Sequence, residues 1–106
     1  MARIILPKHL RIATKKWIRQ ILADYELESQ HVKILIQSGE CWDRILLARE
    51  TVEKEGAYYT DRFGSPKCHP ALSEERNNRV VFARLIRELN LTEEPSETRP
   101  PGLKYN

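Results

Sequence analysis

From Ser29 to Glu55 apolar residues recur at helical spacing for 27 residues, until Gly56 is expected to supply a left-handed C-terminal cap. A helix of that length is about 40 Å long at its rise of 1.5 Å per residue. In a chain of 106 residues, one domain at most, such a rod dictates that everything else packs along it. On a helical wheel Val32, Leu35, Ile36, Trp42, Leu46 and Leu47 form one apolar stripe. Ile34, Cys41, Ile45, Ala48 and Val52 form a second on nearly the opposite side. Lys33, Gln37, Glu40, Arg44 and Thr51 are the polar strip between them.

The spacing of the second stripe is close to a heptad seam, so the expectation is that it packs against another subunit. The alternative is that a third helix covers one stripe and a first helix the other. Gly39, on the first stripe, either admits a close helix neighbour or marks a bend.

The flanking segments supply two further helices. The first is expected from Thr14, as N-cap, to Tyr25. Ile18, Ile21, Leu22 and Tyr25 share a face, Trp17 sits at its edge, and Lys15, Lys16 and Arg19 lie on the other side. Pro70 suits the first turn of a third helix, whose apolar face is read as Leu72, Val81, Phe82, Leu85, Ile86 and Leu89. Asn90 is its left-handed cap, with Leu91 as the apolar contact beyond.

Between helices two and three the period changes. Ala57-Tyr58-Tyr59-Thr60 has strand character, Asp61 to Gly64 has turn chemistry, and Ser65 to Cys68 returns as a second strand. An isolated hairpin is marginal in water, so it is expected to pack on helices or pair with a neighbouring subunit. The fold class is therefore mainly α, three helices with a long central one and a small β-hairpin. The domain spans residues 1–91. Residues 92–106 carry Pro95, Pro100, Pro101 and Gly102 with few large apolar side chains, a composition expected to leave a mobile tail.

Little in the chain looks catalytic. Cys68-His69, with Cys41, His31 and His9 elsewhere, fits no tight zinc spacing. His69 is better read as hydrogen-bonding to the turn or the helix start. Four glycines scattered singly make no phosphate loop, and Ser and His occur without a nucleophile context. No cofactor and no enzymatic activity are expected. Two cysteines suit a reduced, intracellular protein, and no apolar run is long enough to span a bilayer.

Charge is the positive signal. Between Met1 and Ala23 there are six basic residues and no acidic one, an asymmetry that suggests an anionic partner. The residues expected to contact nucleic acid are Lys8, Arg11, Lys15, Lys16 and Arg19. Arg62, Lys67, Arg76 and Arg79 form a second candidate patch.

Several pieces together resemble a known family. The order is a basic first helix, then a long helix with Gln30-His31 near its start and Trp42-Asp43-Arg44 in its middle. Gly64-Ser65-Pro66-Lys67-Cys68-His69-Pro70 follows, and the last helix ends Glu88-Leu89-Asn90-Leu91-Thr92 with Pro95 and Arg99 beyond. Over residues 12–100 this resembles the small terminase subunits of tailed bacteriophages and prophages of cohesive-end, lambdoid type. That family usually has glycine where this chain has Asn90, a mild departure because Asn is the next-best left-handed cap. The resemblance implies a non-catalytic DNA packaging factor in the bacterial host cytoplasm. Its implied partners are double-stranded DNA, the large terminase subunit that carries ATPase and nuclease, and copies of itself in a ring. The rival reading is a small helix-turn-helix regulator, which the unbroken length of the second helix disfavours.

Overall fold

The computed structural model describes residues 4–91; Arg3 and the expected tail lie outside them. Helix α1 spans Ile12–Asp24, α2 Ser29–Glu55 and α3 Pro70–Leu89. Strands β1 (Tyr58–Thr60) and β2 (Pro66–Cys68) form an antiparallel hairpin between α2 and α3. The expected class, mainly helical with a long central helix and an intervening hairpin, is the class observed.

Helix α1 begins two residues before the expected N-cap. Arg11 is the cap residue, with extended backbone and no side-chain cap of its own. The capping carboxylate comes instead from α2. Asp43 Oδ2 accepts from the Arg11 backbone N–H at 2.9 Å, and Oδ1 accepts from the Thr14 hydroxyl at 2.5 Å. Thr14 is thus buried inside the first turn, and the anionic group sits at the positive end of the helix. At the other end Tyr25 is extended and lies just beyond the helix, its N–H closing onto the Ile21 carbonyl.

Helix α2 has the expected bounds. Its terminator, Gly56, has φ +91° and ψ 152°, an extended backbone with positive φ rather than the left-handed helical cap that was anticipated. That region is accessible essentially to glycine alone. Gly39 settles as the close-approach residue. A Cβ built there would lie 2.8 Å from Ile18 Cδ1 and 3.0 Å from Thr14 Cγ2, so α1 crosses α2 at this point.

The expectation for the second stripe of α2 is overturned. Cys41, Ile45 and Ala48 are buried within the chain, and Ile34 and Val52 are half-buried. Helix α3 returns antiparallel along α2, held by Arg49 Nε on Glu75 Oε2 at 3.0 Å and by Trp42 against Phe82 at 5.3 Å between ring centroids. Among the described residues the second stripe is thus covered within the chain, along the contact of α2 with α3, and Trp42 of the first stripe meets α3 as well. The side of α3 turned to α2 also differs from the expected face. Ala71 and Leu89 are buried, Glu75, Asn78, Phe82, Leu85 and Ile86 are half-buried, and Val81, about 100° round the helix from Phe82, is exposed.

The N-terminal arm contributes core that helical periodicity does not reveal. Leu6 and Leu10 are buried in one cluster with Ile18, Ile21, Leu35 and Leu89. Helix α3 starts and stops as its sequence suggests. His69 Nδ1 accepts from the Ala71 N–H at 3.0 Å, Pro70 follows it, and Asn90 closes the helix at φ 49°, ψ 49°.

The hairpin pairs Tyr58 with Cys68, Tyr59 with Lys67 and Thr60 with Pro66. Its turn is organised by Asp61, whose Oδ1 accepts from the N–H groups of Phe63 and Ser65 at 2.8 and 2.9 Å. All six strand residues are exposed, so of the two expected arrangements packing on the helices is not the one observed. Its anchor is local, the His69 N–H donating to the Ala57 carbonyl at 2.7 Å.

Candidate nucleic-acid interface

The five basic residues singled out by charge divide into two groups. Because Ile18 and Ile21 are buried against α2, the side of α1 opposite them faces solvent and carries Lys16 and Arg19 together with Ile12. Lys15 is half-buried at the edge of that face, and Lys8 is exposed in the arm just before the helix. No ion pair among the described residues engages Lys8, Lys15, Lys16 or Arg19. These four keep their charge available to a partner.

Arg11 does not. Its two terminal nitrogens donate to the two carboxylate oxygens of Glu50 at 2.8 and 2.9 Å, a bidentate pair. The hydrogen bond with Glu50 raises the guanidinium pKa further above its ordinary value, and the same bond holds the Glu50 carboxyl below the usual carboxylate range. The absence of acidic residues up to Ala23 is real in sequence but not in space. Helix α2 supplies Glu40 to His9 at 2.9 Å, Asp43 to the start of α1, and Glu50 to Arg11. The candidate interface therefore narrows to Lys8, Lys15, Lys16 and Arg19, and Arg11 becomes a tie between α1 and α2.

The second candidate patch is also partly committed. Arg79 Nη1 lies 3.8 Å from Glu75, which already binds Arg49, and the Arg62 guanidinium lies 5.3 Å over the Phe63 ring. Lys67 and Arg76 are exposed. Arg84 and Arg87, which charge counting passed over, extend the exposed basic surface along the outside of α3. Their signal was present as the spacing Arg76, Arg84, Arg87 along one side of the helix, with no acidic residue on that arc.

The remaining titratable groups have structural partners. His69 Nε2 lies 2.8 Å from Glu55 Oε1, and because Nδ1 accepts from Ala71, Nε2 is the nitrogen that donates. Cys41 is buried, and desolvation pushes its thiol pKa up, the opposite of an activated nucleophile. Among the described residues no three His, Cys, Asp or Glu side chains converge as metal ligands. None of their helices is long and apolar enough to cross a membrane. No protein-family model, curated protein or solved structure matches this chain.

Proposed function

We propose that this chain is a non-catalytic DNA-binding component of a phage-type genome-packaging machine, a small-terminase-like protein. The observation that carries the DNA-binding reading is the outward face of α1, where Lys16 and Arg19, flanked by Lys15 and Lys8, carry no carboxylate partner among the described residues. Charges of this kind bind phosphates through counterion release, without a need for base contacts. The packaging role rests on the resemblance of Gly64 to Pro70 and of the Glu88 to Thr92 helix end. In the structure those residues form the His69 cap on α3 and its Asn90 stop.

A ring of copies multiplies a modest basic face into a strong electrostatic site. With the α2 seam occupied by α3, the exposed surfaces left to build such a ring include the hairpin and the outer side of α3 at Val80 and Val81. Two measurements test the reading. Neutralising Lys15, Lys16 and Arg19 together is expected to weaken duplex DNA binding and to lower the slope of log K against log salt by about 3, roughly one per lost phosphate contact. An unchanged affinity and slope overturns the α1 assignment. Native mass measurement is expected to return a closed ring of many copies, whereas a dimer favours a regulator.

A further inference from the structure

An apolar groove opens where the three helices meet, lined by Ala13, Thr14, Trp17, Trp42, Leu46 and Phe82. Its volume of about 360 Å³ is that of a small binding site. Phe82 stands between the two indoles, its centroid 6.2 Å from Trp17 and 5.3 Å from Trp42, with the rings inclined at 42° and 41°. All three aromatics are half-buried. An apolar, aromatic-walled groove is the kind of surface on which a polyproline segment docks, its prolines stacking on the rings.

The chain carries such a segment within reach. Leu91 packs at the end of α3, about 14 Å along that helix from Phe82 at 1.5 Å per residue. Fifteen residues follow it, including Arg99-Pro100-Pro101-Gly102-Leu103. The nine residues from Leu91 on to Pro100 would span about 28 Å at the rise of a polyproline helix, ample for a return to the groove. Paired prolines lose little freedom on binding, and Leu103 adds an apolar side chain for the floor beside Leu46. We propose that the groove between α1, α2 and α3 receives the chain's own Arg99 to Leu103 segment.

Trp17 and Trp42 are the only tryptophans in the chain, so intrinsic fluorescence reports this groove alone. In the full-length protein, Pro100→Ser with Pro101→Ser is expected to shift the emission to longer wavelength and to increase acrylamide quenching, with far-UV circular dichroism unchanged. A synthetic peptide of residues 96–106 added to that double variant is expected to restore the shorter-wavelength emission saturably. The wild-type spectrum is expected to be independent of protein concentration. Identical spectra for wild type and double variant, or no response to the peptide, overturns the proposal. A wild-type spectrum that moves on dilution overturns it equally, because the groove is then filled by a second copy.

Discussion

Arg11 and Glu50 are 39 positions apart in sequence and joined by two parallel hydrogen bonds, the guanidinium of the arm gripping the carboxylate of the central helix. The pair draws one cation of the basic N-terminal segment back onto the fold and leaves the others outward.

The proposed DNA binding is therefore expected to separate Arg11 from its neighbours. Arg11→Met is expected to leave the salt dependence of duplex DNA binding unchanged, whereas Lys16→Met and Arg19→Met each lower the slope by about 1. Affinities measured across a salt series decide this.

The same pair makes stability depend on pH. The Glu50 carboxyl is held below its ordinary value in the folded chain by the Arg11 hydrogen bonds. Its contribution is thus fully present above the ordinary carboxylate range and is lost as pH falls through the lowered folded value. Thermal unfolding of wild type and Glu50→Gln is expected to differ at neutral pH, with the gap in Tm closing on acidification. A gap that is constant with pH contradicts the assignment.

At the crossing of α1 and α2, Gly39 leaves no room for a methyl group, since Ile18 Cδ1 would lie 2.8 Å away and Ile18 is fully buried. Gly39→Ala is expected to lose about 1–3 kcal/mol to overpacking, of which better helix propensity offsets about 1 kcal/mol. Ile18→Val removes the opposing Cδ1. The double variant is therefore expected to be more stable than the sum of the single changes by at least about 0.5 kcal/mol, read from denaturant unfolding.

Asp43 caps a helix to which it does not belong. Asp43→Ala removes acceptors from the Arg11 N–H and from the buried Thr14 hydroxyl, with an expected loss of about 2 kcal/mol. Thr14→Val introduced into that background is expected to recover part of the loss, because it removes the hydroxyl left without a partner. Urea denaturation of the two single variants and the double variant tests this.

Much of the fold was legible because it rests on local rules. The bounds of α2, the hairpin with its Asp61 turn, the His69 and Pro70 start of α3 and its Asn90 end are set by residues within a few positions of each other. The start of α1 was misplaced for the complementary reason. Thr14 has the chemistry of a cap, but its hydroxyl is taken by Asp43, 29 residues away. The arm's share of the core was not legible either, since Leu6 and Leu10 follow no helical or strand period and join the core only once α1, α2 and α3 have met.

By itself the amino-acid order determined where the chain turns helical, where it stops, and that the first 23 residues are one-sidedly basic. Only the tertiary structure decided which of those charges remain free. Ion pairing depends on distance, and Glu50 is brought to Arg11 by the packing of two helices rather than by any sequence spacing. The same packing decided the fate of the second α2 stripe. Apolar periodicity states that a surface is to be covered, but not whether the cover is another subunit or, as here, the chain's own third helix.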